Sequence, residues 1–274
     1  MRKTKIIATL GPATKDPKTL TKLLQRVDVV RINLAHGTWD PKDKASHQNK
    51  IRLVRKISKK IKKPIAILVD LKGNKIRIGN FKNDAIELKK NALVTIRFTE
   101  EEISKNDKEI VVNADYVFDD IEVKDIIFLD DGLIKLEVKK IQPKKRALSC
   151  VVHEGGLLLR GKGLEVKNKI INQSGLPEED KRDLKKLAKL DIDWVALSFV
   201  NQASDVNQAR EVLSGFNNNT KLIAKIERVA AIKQLYWIIK ASDGIMVARG
   251  DLALECGPGE LTGLQKNIIK QTVK

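Results

Sequence analysis

Short, mainly apolar runs alternate with charged amphipathic segments at both ends of this chain, and the stretch from 73 to 163 breaks the alternation with a different rhythm. The first run, Thr4 to Leu10, closes on the turn dipeptide Gly11-Pro12. A helical segment follows, then the run Val27 to Leu34, a charged helix to about Lys62, and the run Ile65 to Leu71. The third run is apolar apart from Asp70 near its end, as suits a strand covered on both faces. Strands alternating with helices predict a parallel sheet.

Between Gly73 and Gly163 the signal becomes short β-branched runs bounded by turn residues: Ala85 to Leu88, Leu93 to Phe98, Glu109 to Val112, Ile126 to Leu129, Ile134 to Val138 and Ala147 to Val152. The alternation then resumes with helix Glu178 to Leu190, strand Asp193 to Phe199, helix Ala203 to Leu213, strand Lys221 to Glu227, helix Ala230 to Ser242, strand Gly244 to Arg249 and a last helix from about Leu261. The domains expected are residues 1–72 and 164–274, together forming an incomplete barrel, and 73–163 as an inserted all-β domain. A full (β/α)8 TIM barrel uses ~250 residues, so the length outside the insertion suffices for about six units. The expected fold is therefore an α/β (β/α)8 barrel that stops after about six units, carrying an inserted all-β domain, which the family resemblance given below makes a β-barrel lid.

Composition excludes several classes. With 42% hydrophobic and 32% charged residues the chain reads as globular. No stretch approaches the ~20 apolar residues of a spanning helix, and no signal-like N-terminus is seen, so a cytoplasmic location without membrane contact is expected. Cys150 and Cys256 stand in unrelated contexts, which predicts reduced thiols. The net charge of +18 attracts anions in general, yet its lysines spread along helix faces such as Ile51 to Lys63 with only 4% aromatic residues to stack bases. A nucleic-acid partner is accordingly not expected.

Polar groups collect where the predicted strands end, the mouth at which a barrel assembles its active site. They are Arg31, Asn33 and His36; Asp70, Lys72 and Arg77; Ser198 and Phe199; Lys225 and Glu227; and Ala248, Arg249, Gly250 and Asp251. A buried lysine beside carboxylates is costly unless the groups pair or bind a metal, so the pattern points to a magnesium and phosphate site. Residues two apart on a strand share a face, so a metal-free Lys225–Glu227 ion pair is the open alternative.

The motifs ATLGPAT (8–14), DVVRINLAHG (28–37), LVDLKG (68–73) with IRIG (76–79), LDDGLI (129–134), VALSFV (195–200), AKIE (224–227) and ASDGIMVARGDL (241–252) resemble, in this order and along the whole chain, the pyruvate kinase family. The resemblance implies phosphoryl transfer from phosphoenolpyruvate to ADP, giving pyruvate and ATP. It makes Lys225 the catalytic lysine and Arg31 and Arg77 the phosphate-holding arginines. Glu227 and Asp251 become the ligands of Mg2+ or Mn2+. Ala248, Arg249, Gly250 and Asp251, ahead of an expected short helix, would seat the substrate carboxylate; a simple turn is the alternative. Arg31, His36 and Lys162 would face the nucleotide, although a glycine-flanked lysine such as Lys162 is often only a hinge.

This sequence departs from the family pattern at several places. The family commonly holds a monovalent cation through an asparagine, a serine, an aspartate and a threonine; here Asn33 and Asp70 are kept but Ala35 and Leu71 replace the other two. Lys75 stands where GPEIR has its glutamate, so K+ is expected not to be required and the Lys75 ammonium to substitute for it. Lys75 could instead be one more surface lysine. The family's NLPG is Glu165-Val166-Lys167-Asn168, its EG is Ala230-Ala231, and the glycine after GDL is Ala253. The family's seventh and eighth strands and C-terminal domain have no counterpart in this sequence. A second reading therefore stays open: a truncated, catalytically deficient remnant that binds phosphate ligands or needs a partner chain for the missing strands. The partners expected are phosphoenolpyruvate and ADP/ATP, with a homo-oligomer or complementing chain to cover the open sheet edges.

Overall fold

A computed structural model describes residues 3–167, 175–216 and 220–273, apart from the Pro258 side chain. Asn168, the last residue of the altered NLPG run, and Lys274 lie outside the described residues. In chain order the elements are β1 (Ile7–Thr9), α1 (Pro17–Leu24), β2 (Val29–Asn33), α2 (His47–Lys60), β3 (Ala66–Asp70), β4 (Ala85–Leu88), β5 (Leu93–Phe98), β6 (Glu109–Val112), β7 (Ile126–Leu129), β8 (Ile134–Gln142), β9 (Ala147–Glu154), β10 (Gly156–Leu159), β11 (Leu164–Val166), α3 (Glu178–Leu187), β12 (Trp194–Leu197), α4 (Ala203–Ser214), β13 (Lys221–Ile226), α5 (Val229–Lys233), α6 (Leu235–Ala241), β14 (Gly244–Val247), α7 (Arg249–Cys256) and α8 (Pro258–Thr272). They divide into two compact units. The first holds residues 1–74, 174–248 and 265–274, and the second holds 75–173 and 249–264.

The first unit is a mixed α/β unit built on a six-stranded parallel sheet in the order β1-β2-β3-β12-β13-β14. β3 sits centrally, and its residues Ile67 to Asp70 are all buried, which explains the apolar run that leads up to Asp70. The helices begin where the residue types require. Asp16 accepts the Thr19 N–H at 2.8 Å ahead of Pro17 to cap α1, and Ser46 caps α2 through the Asn49 N–H. Leu20 and Leu24 of α1 are buried four apart, and Ile51, Val54 and Ile57 of α2 are buried three apart, both helical spacings. The helix expected over Ala230 to Ser242 is interrupted: it is two helices, α5 and α6, broken at Gln234. Among the described residues no helix is long and apolar enough to cross a membrane.

The second unit is mainly β, with a six-stranded sheet in the order β11-β7-β8-β9-β5-β6 and a separate β10–β4 pair. Its core comes from alternate residues of paired strands, among them Val94, Ile96 and Phe98 on β5, Leu136 and Val138 on β8, and Leu148, Cys150 and Val152 on β9. The β7–β8 hairpin turns through Asp130, Asp131 and Gly132, all at positive φ (50°, 53° and 86°). β10 and β11 are strands that the sequence reading did not anticipate. α7 belongs to this unit, and Arg249, Gly250 and Asp251 form its first turn; they do not precede the helix, as expected from sequence.

Candidate active site

In the first unit the charged residues gather at one end of the sheet because parallel strands all finish there. Arg31 and Asn33 close β2, Asp70 closes β3, Ser198 follows β12, Lys225 and Glu227 straddle the end of β13, and Ala248 follows β14. Register aligns them, with Asn33 opposite Asp70 and Ile226 opposite Val247.

Lys225 is the centre. Its side chain is 10% exposed, and its ammonium lies 2.8 Å from Glu227 Oε1, 3.2 Å from Asp70 Oδ1 and donates to Ser198 Oγ at 2.7 Å. Burial alone would lower this lysine's pKa, but the Glu227 and Asp70 carboxylates outweigh it and hold the pKa above the ordinary value. Asp70 is also taken by Arg31, whose Nε donates to Oδ2 at 2.7 Å and whose Nη2 stands 2.5 Å from the same oxygen. Arg31 Nη1 reaches Thr9 Oγ1 at 3.1 Å. Glu227 has a second task, since its Oε2 accepts the Phe199 N–H at 2.5 Å. The Lys225–Glu227 ion pair anticipated from strand spacing is thus present, extended through Asp70 to Arg31. Asn33 folds back on its own turn, its Oδ1 accepting the Ala35 N–H at 3.0 Å. His36 is exposed in that turn.

In the second unit Lys75 is not a free surface lysine. Its ammonium lies 2.7 Å from Asp131, 3.3 Å from Asp251 and 3.6 Å from Glu165, and the side chain is only 17% exposed. These three carboxylates each place an oxygen within 4.8 Å of the others, a grouping able to hold a cation, and Lys75 supplies one from inside the chain. Burial opposes its charge, but the hydrogen bond to Asp131 and the charge of Asp251 raise the pKa above the usual lysine value. Lys75 in turn keeps the Asp131 carboxyl below the ordinary range. Gly163 makes room for it: a Cβ there would stand 2.4 Å from Lys75 Cε. Nearby in chain terms, Lys162 pairs with Asp130 at 2.7 Å, and Arg77 Nη1 donates to the Gly161 carbonyl at 2.9 Å. Arg249 and Gly250 are exposed.

The expected site residues therefore fall into two groups. Arg31, Asn33, His36, Asp70, Lys225, Glu227 and Ala248 belong to the first unit, and Lys75, Arg77, Lys162, Arg249, Gly250 and Asp251 to the second. Sequence reasoning missed the partners of Lys75: Asp131 lies in a left-handed hairpin turn and Glu165 on β11. The acidic DDG turn was the available signal for the first. It also missed Asp180, in the first turn of α3, a buried carboxylate that accepts the Gly73 N–H at 3.0 Å.

These features define an α/β domain with a buried lysine, arginine and paired carboxylates at the C-terminal ends of parallel strands. The sequence profile described as pyruvate kinase, barrel domain, matches residues 1–274. Pyruvate kinases of Staphylococcus aureus strains USA300, NCTC 8325 and COL are each 35% identical to the chain over 275 aligned positions, covering all of it and 46% of each relative. The chain belongs to the pyruvate kinase family. It spans about half the length of the curated relatives it matches.

Proposed function

We propose that this chain provides the phosphoryl-transfer site of a pyruvate kinase, moving a phosphoryl group from phosphoenolpyruvate to ADP. The P–O bond to the enol oxygen breaks as the bond to the terminal oxygen of ADP forms, and the enolate takes up a proton to become pyruvate. The observation that carries this reading is the buried Lys225, held charged at the strand ends by Asp70, Glu227 and Ser198 with Arg31 alongside. Such transfer depends on positioning and on cations around the equatorial oxygens, which is what a fixed ammonium and a guanidinium supply. We read the parallel sheet as part of a (β/α)8 barrel and the β unit as an inserted lid-type domain.

In this reading Lys225 acts on the transferring phosphoryl, Arg31 and Arg77 hold phosphate, His36 and Lys162 face the nucleotide, and Ala248 to Asp251 seat the substrate carboxylate. Glu227 and Asp251 would hold Mg2+ or Mn2+, for which carboxylate oxygens are the fitting donors. That assignment rests on the family resemblance. When bound, the divalent ion would supply charge neutralisation to the phosphate oxygens. K+ is proposed to be dispensable, because Ala35 and Leu71 offer no side-chain oxygen ligands while Lys75 carries a fixed charge.

The test is ATP formation from phosphoenolpyruvate and ADP, with Lys225→Met and Glu227→Gln as controls. Calorimetric binding of Mn2+ should weaken in Glu227→Gln and in Asp251→Asn. Turnover unchanged by Lys225→Met, or Mn2+ binding unchanged in both carboxamide variants, would remove those residues from their roles.

A further inference from the structure

Asp180 is a carboxylate in an expensive place. It is 1% exposed, its Oδ1 has no hydrogen-bond partner among the described residues, and the Asp183 carboxylate one turn along α3 adds like charge. Its Oδ2 accepts the Gly73 N–H at 3.0 Å, while the neighbouring Glu179 pairs with the Lys72 ammonium. The first turn of α3 thus grips residues 72 and 73, immediately beyond the end of β3.

What lies against that gripped turn gives the grip a purpose. Gly73 has φ +67°, and a Cβ there would meet Ser198 Cβ at 2.6 Å, Phe199 Cδ2 at 2.8 Å and the Ser198 carbonyl oxygen at 3.0 Å. The Gly73 backbone therefore rests on Ser198 and Phe199. Phe199 is itself held at φ +57°, a strained value for a bulky residue, and its N–H is the donor to Glu227 Oε2. Ser198 Oγ donates to the Leu71 carbonyl at 2.8 Å and accepts from Lys225. Each link from Asp180 to the Lys225–Glu227 pair is a hydrogen bond or the close packing of Gly73 against Ser198 and Phe199.

We infer that Asp180 is a positioning residue for Glu227 and Lys225, acting through the Gly73 turn and the strained Phe199 peptide. This rests on the functional reading above only in naming what is positioned. The carboxylate holds the Gly73 peptide down on residues 198 and 199, and that pressure keeps the Phe199 N–H aimed at Glu227.

The experiment is residue-resolved amide hydrogen exchange in Asp180→Leu, which keeps the γ-branched shape in a larger side chain and removes both the acceptor and the buried charge, and in Asp180→Asn, which keeps an acceptor at nearly the same volume. In Asp180→Leu the Gly73 and Phe199 amides should exchange about tenfold faster or more, while Ala196 and Leu197 within β12 stay protected. Asp180→Asn should restore most of the protection at both. A Phe199 amide unchanged in Asp180→Leu overturns the inference. So does a uniform rise that includes Ala196 and Leu197, because it would make Asp180 a general support of the sheet. In parallel, Mn2+ affinity followed by water-proton relaxation should fall in Asp180→Leu and recover in Asp180→Asn. The exchange arms need no turnover, so a chain inactive toward phosphoenolpyruvate would count against the proposed function and leave this result standing.

Discussion

His47 and Asp180 should give the first unit opposing pH dependences that nearly cancel, and a single substitution should expose either one. Both are about 1% exposed. Burial, helped by Lys50, pulls the His47 imidazole from its ordinary 6.5 down to about 4. Burial pushes the Asp180 carboxyl from its ordinary 3.8 up to about 6, against the hydrogen bond from Gly73. For His47 the unfolded chain binds more protons between pH 4 and 6.5, so its contribution to stability rises with pH across that window. For Asp180 the folded chain binds more protons between pH 3.8 and 6, so its contribution falls across nearly the same window. At ~1.4 kcal/mol for each pH unit separating folded and unfolded values, each limb amounts to about 3 kcal/mol.

Asp180→Asn should remove the falling limb, and His47→Gln the rising one. The assay is urea unfolding from pH 4 to 7 followed by tryptophan fluorescence. Trp39, Trp194 and Trp237 are the three tryptophans and all belong to the first unit, so the signal reports that unit. The stability of wild type minus that of Asp180→Asn should drop by about 3 kcal/mol between pH 4 and 6, and the corresponding difference for His47→Gln should climb by a similar amount. Differences flat to within about 0.5 kcal/mol would refute the reasoning, because other groups titrate alike in all three chains.

Lys225→Met should lower first-unit stability by about 3–5 kcal/mol, since it leaves Glu227 a buried charge without its cation while Asp70 keeps only Arg31, and denaturant midpoints measure it. Gly73→Ala should cost more than about 1 kcal/mol, because it adds a Cβ at positive φ against Ser198, and calorimetric melting would read the loss. Turnover in sodium- and potassium-free buffer should rise less than tenfold, or ~1.4 kcal/mol of barrier, on adding KCl at constant ionic strength. Potassium dependence should appear in the combined change Ala35→Ser, Leu71→Thr and Lys75→Glu.

Legibility in the sequence followed the range of the forces involved. β4 to β7 match their sequence-read bounds because each is a β-branched or apolar run closed by turn residues. β10 escaped notice because Gly156 to Leu159 has no β-branched residue and no apolar-polar alternation, although only Leu158 of its three leucines is buried and Leu157 and Leu159 are exposed. β11 is three residues long and exists through its pairing with β7, which no local pattern announces. Lys225 and Glu227 were readable as a pair because strand geometry alone puts them on one face. The partners of Lys75 come from positions 131, 165 and 251, and only the fold brings them together. Two separate departures from the family pattern, Lys75 and Glu165, therefore meet 3.6 Å apart, which no reading of either position alone could supply.

The charge balance of the first unit leads to one more prediction. Arg31 and Lys225 contribute two positive charges to the cluster, and Asp70 and Glu227 contribute two negative ones. Taken together they present no net charge to a phosphate. An incoming anion must compete with Asp70 for Arg31, at 2.5 Å, and with Glu227 for Lys225, at 2.8 Å. If Glu227 gives its oxygens to a divalent ion, the balance becomes positive and Lys225 loses its nearest competitor. Phosphoenolpyruvate affinity should therefore rise with Mn2+, and by thermodynamic reciprocity Mn2+ affinity should rise equally with phosphoenolpyruvate, by about 5- to 150-fold for a coupling of 1–3 kcal/mol. Calorimetry of each ligand with and without the other measures both sides. In Glu227→Gln, which lacks the competing charge, phosphoenolpyruvate alone should bind more tightly than to wild type and gain less from Mn2+. Equal affinity in the presence and absence of Mn2+ for the wild-type chain would show that Lys225 is not held back by Glu227.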